Sequence, residues 1–239
     1  MNRLLARTAR SWVTFGLLAG LVAAGCSALI AGQEPPQFSP PQLLAASDIP
    51  YPINSGASGI VTVAIYLDSA GKVTGTDTLR DIPSLTAPVL LAIPQWTFKP
   101  AVFDGNPIDS AIVASIAFNP ADYRLGGKNA PPLGKELKVL APDANGFLPP
   151  KAVSAPWAAY PINSVAQGSV VLDARIDLTG RVTAVVAAWR NPSLTGPSMQ
   201  AAKEWSFRPA RLNREPAVAD AIIGYVFRPP NIASPVANP

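Results

Sequence analysis

The sequence contains no histidine, and it has a single cysteine, Cys26, among its 239 residues. Without histidine, Ser-His-Asp and Cys-His activation of a nucleophile is excluded, as is every zinc site that needs an imidazole. One cysteine excludes an internal disulfide and a thiolate cluster. We therefore expect no metal, no cofactor and no catalytic residue, although chemistry that uses only carboxylates and lysines stays open.

Charged residues are also scarce, at 14% of the chain, whereas apolar residues reach 49%. The net charge is +4, and three of these charges come from Arg3, Arg7 and Arg10 at the N-terminus. The remainder is close to neutral and has no cluster of lysines and arginines of the kind that binds phosphates. We expect a folded chain with no nucleic-acid partner.

The N-terminal segment has the layout of a secretory signal, with basic residues 1–10 ahead of an apolar run over 12–32. The small residues Ala-Ala-Gly stand directly before Cys26, which resembles the lipidation signal of bacterial lipoproteins. Lipidation at Cys26 is the favoured interpretation. The run is also long enough to span a bilayer uncleaved, and cleavage near Ala31 is a third reading. Each reading anchors or exports the chain so that residues 33–239 lie outside the cytoplasm, on the periplasmic side of the cell envelope.

A repeat dominates the remaining sequence. The letters "YPINS" at 51–55 recur at 160–164, a spacing of 109 residues, and 25 of the 70 positions from Tyr51 onward are identical at that spacing. This pattern indicates a tandem duplication of one small domain. The expected organisation is a signal peptide or membrane anchor (1–32), a Pro-rich tether (33–42), a first domain (43–120), a linker (121–148), a second domain (149–229) and a tail (230–239).

Each copy predicts the same order of elements. Alternating apolar residues over 61–67 indicate a strand, and "DSAG" at 68–71 indicates a tight turn into a second strand. A helix follows, with Thr195 as its expected N-cap in the second copy, and then a final strand. We therefore predict an α+β fold of two tandem units, each a three-stranded antiparallel sheet with a helix packed on one face. Trp96 and Trp205 are expected in the two cores.

The motif order resembles the C-terminal domain of TonB, the periplasmic energy transducer of two-membrane bacteria. It runs Tyr-Pro, Gly with alternating valines, Asp-x-x-Gly-x-Val, a helix, Trp-x-Phe-x-Pro-Ala, a turn and a strand that ends in Phe. The resemblance covers 51–120 and 160–229. It implies binding of an outer-membrane receptor or periplasmic protein by strand addition, in which an extended partner segment pairs with a sheet edge. Transducers also use a membrane helix that contains a histidine, and this chain has no histidine. Their Pro-rich spacer is longer than the tether at 33–42.

Strand addition needs an exposed edge, and the last strand of each unit, 111–118 and 220–227, is the candidate. The alternative is that these edges pair with the sister unit or are otherwise protected. The candidate partner-binding residues are Ile112, Ala114, Ile116, Phe118, Ala221, Ile223, Tyr225 and Phe227.

Basic residues distinguish the second copy, which has Arg208, Arg211 and Arg214 where the first has Lys99, Val102 and Gly105. If one copy engages an acidic partner, we expect these arginines to contribute.

Three functions are compatible with these observations. The favoured one is a non-catalytic envelope protein that binds extended segments of its partners. The second is a TonB-type energy transducer that couples the inner membrane to outer-membrane transport. The third is a ligand-binding or hydrolytic lipoprotein with a site between the domains, for which Asp68 and Asp177 are carboxylates at matching positions, although aspartate in a turn commonly bonds its own backbone.

Overall fold

Two stretches of the chain, residues 37–119 and 131–228, are described by the computed structural model, and they belong to one compact unit. We call residues 37–119 the first half, 131–145 the connecting segment and 146–228 the second half. The first half contains β1 (Phe38–Ser39), β2 (Gln42–Ala45), β3 (Gly59–Leu67), β4 (Val73–Arg80), α1 (Pro83–Ala92), a 3-10 turn (Ile93–Gln95), β5 (Thr97–Lys99), β6 (Ala101–Phe103), β7 (Asn106–Ile108) and β8 (Ser110–Phe118). The second half contains β9 (Phe147–Leu148), β10 (Lys151–Ser154), β11 (Gly168–Ile176), β12 (Val182–Trp189), α2 (Thr195–Ala202), β13 (Ser206–Arg208), β14 (Ala210–Leu212), β15 (Glu215–Ala217) and β16 (Ala219–Phe227).

The hairpins predicted from the turn motifs are present in both halves. β3 pairs with β4 and β11 pairs with β12, both antiparallel. Gly71 and Gly180 close these turns with φ angles of +80° and +85°, which favour glycine. A Cβ atom at Gly71 would lie 2.4 Å from the carbonyl oxygen of Phe98, so the backbone approach itself also requires glycine.

The two halves share one sheet, although the sequence predicted two separate three-stranded sheets. The sheet has six strands in the order β12-β11-β16-β8-β3-β4. Its pairs are antiparallel within each half, and β16 lies parallel to β8 at the centre. The α+β class is confirmed, and the correction concerns how the predicted units are joined.

The two helices cover opposite faces of this sheet. Leu85 and Val89 of α1 belong to a core cluster that includes Ile222 and Val226 of β16. Ala202 of α2 belongs to a second cluster with the alternate β16 residues Ala221, Ile223, Tyr225 and Phe227. Because successive residues of a strand point to opposite faces, the two clusters lie on opposite sides of the sheet.

Each half has a buried tryptophan, as predicted, but their surroundings differ. Trp205 donates from Nε1 to the Tyr225 hydroxyl at 2.7 Å and to the Pro156 carbonyl at 3.2 Å. Trp96 is also buried, yet its Nε1 has no hydrogen-bond partner within the described residues. Ile116 stands where the second half has Tyr225, so the first half lacks the hydroxyl that accepts this bond.

From residue 37 onward, the predicted tether is part of the fold. β1 pairs with β6 and β2 pairs with β5, in the same way as β9 pairs with β14 and β10 with β13. The rings of Phe38 and Phe147 lie 4.7 Å apart. Phe38 and the adjacent proline pair match Phe147 and its proline pair at the 109-residue spacing, so the repeat begins earlier than the predicted boundaries 43 and 149.

The segment after β2 crosses to the second half. Asp48 accepts hydrogen bonds from the backbone N–H and the hydroxyl of Ser169 at 2.8 and 2.7 Å. Ile49 donates its N–H to the same hydroxyl at 2.8 Å. In the opposite direction, Asn119 of the first half donates to the Ala158 carbonyl at 2.8 Å. These hydrogen bonds, of which those of Ile49 and Asn119 are buried, join the halves beyond the central strand pair.

A buried acidic cluster lies beneath β2. Asp173 of β11 accepts hydrogen bonds from the Leu43 N–H and from Gln42 Nε2, at 3.3 and 3.4 Å. Asp220 binds Arg175 through two hydrogen bonds. Burial, followed by the charge of Asp220, raises the pKa of Asp173 to about 7, because a desolvated carboxyl group favours its neutral form.

Two local predictions need correction. Helix α2 begins at Thr195 with Leu194 as N-cap and no side-chain cap, so Thr195 is not the N-cap. Its hydroxyl instead accepts the Asn191 N–H at 2.9 Å. The predicted linker 121–148 is described from 131, and its last residues form β9, which pairs with β14. The tail 230–239 lies outside the described residues.

The central pairing predicts that Gly224→Val destabilises the whole unit. Gly224 lies beside Ile116 across the β8–β16 pair, and an added Cβ would lie 2.5 Å from Ile116 Cδ1. We expect urea denaturation to show a loss of about 1–3 kcal/mol from overpacking, partly restored by Ile116→Ala. The control is Gly75→Val in β4, where the nearest atom to an added Cβ is 3.8 Å away. Equal effects at the two glycines would contradict the shared sheet.

The raised pKa of Asp173 predicts that protein stability falls as pH rises from about 4 to about 7. The folded state keeps this proton above the ordinary aspartate value of 3.8, so it binds more protons than the unfolded state in that window. Each unit of pKa difference is worth about 1.4 kcal/mol. Denaturation curves of wild type and Asp173→Asn across this range measure the effect. The difference between them should change steadily with pH, and a constant difference would refute the assignment.

Candidate partner-binding site

The residues predicted as partner-binding edges lie at the centre of the sheet. β8 and β16 pair with each other, with Ile222 beside Ala114 and Val226 beside Phe118. Each strand also pairs on its other side, β8 with β3 and β16 with β11. Neither strand therefore presents an open edge. The arrangement matches the alternative given for these strands, in which each pairs with the sister unit. The candidate residues, all buried, are Ile112, Ala114, Ile116, Phe118, Ala221, Ile223, Tyr225 and Phe227.

A sequence signal for this burial exists. All nine residues of β8 and all nine of β16 are buried, in "SAIVASIAF" and "ADAIIGYVF". Near-continuous runs of small and apolar residues are typical of strands that are covered on both faces, as in the middle of a large sheet. Our sequence interpretation used only the alternate residues of each strand, which point to one face.

The edges of the sheet are β4 and β12. The connecting segment runs beside β4: Leu137 donates its N–H to the Leu79 carbonyl at 2.7 Å, and Lys138 forms an ion pair with Asp77. On β12, Ala188 accepts one long hydrogen bond of 3.4 Å from the Ala46 N–H. Within the described residues, no other backbone hydrogen bond reaches the outer side of β12.

The two edge strands differ most at matching positions. Asp77 and Arg80 of β4 correspond to Val186 and Trp189 of β12 at the 109-residue spacing. Val186 is 58% exposed and Trp189 is 38% exposed, and the strand "VTAVVAAW" contains no charged residue. Proteins usually protect an edge with charges, prolines or covering segments. β12 is therefore the candidate partner-binding site.

The three predicted arginines divide between two places. Arg208 and Arg211 line a cavity beside β4, together with Arg80, Glu136 and Lys151. Arg214 lies in the turn between β14 and β15, where its φ of +75° places it in the left-handed region, and it does not line this cavity. Sequence reasoning missed Arg80, because the matching residue of the second copy is Trp189. It missed the connecting segment because that segment does not match residues of similar chemistry in the other copy.

Asp68 and Asp177, the carboxylates considered for a hydrolytic site, stabilise turns. One carboxylate oxygen of Asp68 accepts the N–H groups of Ala70 and Lys72, at 3.0 and 2.8 Å. Asp177 does the same for Thr179 and Arg181, at 2.8 and 3.0 Å, and the Arg181 N–H is the main reason why the pKa of Asp177 is lowered. In residues 37–119 and 131–228, no three His, Cys, Asp or Glu side chains come close enough to hold a metal ion.

The predicted anchor 1–32, with the lipidation candidate Cys26, lies outside the described residues. Among the helices of the described part, none is long and apolar enough to cross a membrane.

Comparison with known proteins gives one match. No curated protein and no solved structure matches this sequence. The family model described as Gram-negative bacterial TonB protein C-terminal matches residues 51–120, which correspond to the first half from Tyr51 through β8. This match, which covers less than a third of the chain, shows that residues 51–120 are similar to the TonB C-terminal domain.

Proposed function

We propose that this protein is a non-catalytic, membrane-anchored envelope protein that binds an extended segment of an outer-membrane or periplasmic partner by strand addition at β12. The observation that supports this most is the edge itself, which is uncharged along its whole length and carries the exposed side chains Val186 and Trp189. An added strand would satisfy the outward backbone groups of β12, and its side chains would contact these two residues.

The site differs from the one that the family resemblance implies. The last strand of each half, which the resemblance assigns to the partner, is already paired across the centre of the sheet. A partner strand at that position would have to separate β8 from β16 and break a ladder that runs from Ile222 to Val226. Addition at β12 breaks no pair of strands, which makes it the less costly mode.

Position-specific cross-linking tests the proposal. A photoreactive amino acid at Val186 should capture a β-barrel receptor or periplasmic protein in living cells. The same residue at Leu91, which is 75% exposed on α1, serves as the control and should capture none. An adduct only with a second copy of this chain, or no adduct specific to Val186, would contradict partner binding at this edge.

The captured partner then supplies an extended peptide for measurement in solution. Val186→Asp introduces the residue that β4 has at the matching position, and we expect it to weaken the peptide by roughly tenfold or more, since a charge blocks the edge. Fluorescence anisotropy measures the dissociation constant, with Leu91→Asp as the matched control. Equal binding by wild type and Val186→Asp would place the peptide elsewhere.

The membrane anchor is proposed as a lipid on Cys26, which the small residues before it favour. Mass spectrometry of the mature protein should then show residues 1–25 removed and a diacylglycerol on Cys26, and Cys26→Ser should abolish both. An intact N-terminus from Met1 would instead support an uncleaved membrane helix, the arrangement that an energy transducer requires.

A further inference from the structure

A cavity of about 390 Å³ lies beside the end of β4, at the edge of the sheet opposite to β12. Leu79, Arg80, Thr62 and Val113 of the first half form one wall. The connecting segment contributes a second wall, and β10, β13 and β14 of the second half provide the third. Its volume lies in the usual range for sites that hold small organic molecules.

One buried cation in this cavity lacks a counter-ion in contact. Arg80 is only 6% exposed, and it donates from one guanidinium nitrogen to the Thr62 hydroxyl at 3.3 Å. Its Nε has no hydrogen-bond partner within the described residues. No carboxylate of the described residues lies within ion-pair distance of it. A buried charge without a partner is costly, and burial accordingly lowers the pKa of Arg80.

The only carboxylate among the lining residues, Glu136, is already engaged. It accepts a hydrogen bond from Lys151, and it acts on Arg80 only as a nearby charge. Arg208 and Arg211 complete the lining, so four cations face one anion. A bound anion would supply the missing charge, as clusters of arginine do for carboxylates and phosphates elsewhere.

Apart from Thr62, the remaining lining is apolar, which restricts the type of anion. The walls between the cations are formed by aliphatic and proline side chains. A fully hydrated inorganic ion would leave these walls without contacts, whereas an apolar group would bury them. These residues are Leu79, Val113, Val139, Leu140, Leu148, Pro149, Pro150, Ala152 and Pro209.

We propose that this cavity binds a small organic anion that carries a carboxylate on an apolar body. The carboxylate pairs with the buried guanidinium of Arg80, and the exposed Arg208 and Arg211 add favourable positive charge nearer the solvent. The apolar body packs against the aliphatic and proline walls. The site is formed by both halves, and it is separate from the β12 edge.

Titration of the folded protein with octanoate at constant ionic strength tests this proposal. Isothermal calorimetry gives the affinity, and changes in the backbone NMR shifts of the protein identify the residues that octanoate contacts. Octanol has the same chain without the carboxylate, and inorganic phosphate has charge without the chain. We expect octanoate to bind at least roughly tenfold more tightly than either, with shifts at Arg80, Val113 and Leu140.

Two surface variants keep the test independent of folding. Arg208→Gln combined with Arg211→Gln should weaken octanoate roughly tenfold, and Arg214→Gln, outside the cavity, should leave it unchanged. Arg80→Met should abolish binding if the variant folds. The proposal would be overturned if octanol or phosphate bound as tightly as octanoate, or if the double variant and Arg214→Gln lost the same affinity for octanoate. Val186→Asp should not alter octanoate binding, so this result is distinguishable from failure of strand addition.

Discussion

The parallel pairing of β8 with β16 is the interaction on which the rest of the structure depends. In this pair Ala114 lies beside Ile222. The residue that matches Ala114 at the 109-residue spacing is Ile223, so the two equivalent strands pair with an offset of one residue. Neighbouring residues of a strand point to opposite faces, so this offset turns equivalent side chains to opposite sides. The halves are thus related by a half-turn about an axis along the strands, which places α1 and α2 on opposite faces. It also leaves β4 and β12 as the outer strands.

This arrangement leaves one face of each half without a helix. The segments around β2 and β10 cover those faces, and each crosses from its own half to the other. The covered surfaces are polar where the copies have diverged: Asp173 stands where the first half has Ala64, and Arg80 stands where the second has Trp189. A buried carboxyl group with a raised pKa and a buried guanidinium with no carboxylate of the described residues in contact therefore occur at the two places where a helix would otherwise pack.

The sequence was sufficient for the elements within each half and insufficient for their assembly. Alternating apolar residues and the Gly71 and Gly180 turns predict the hairpins, because these signals arise from local backbone geometry. The pairing of β8 with β16 is a contact between segments more than a hundred residues apart, and the alternation of a strand does not reveal what lies at its edge. The repeat did contain a clue to the early boundary, since Phe38 matches Phe147. The β12 site and the cavity were missed because both follow from assembly.

The difference between the two outer strands is informative because they occupy equivalent positions. An outer strand that served only the fold would gain from a charge that prevents association with other chains. β4 has such a charge in Asp77, together with the cover of the connecting segment. β12 has Val186 at the same place, with more than half of its side chain exposed. Since the fold tolerates a charge at this position in one half, stability alone does not explain its absence in the other. The strand addition that we propose at β12 would account for this absence.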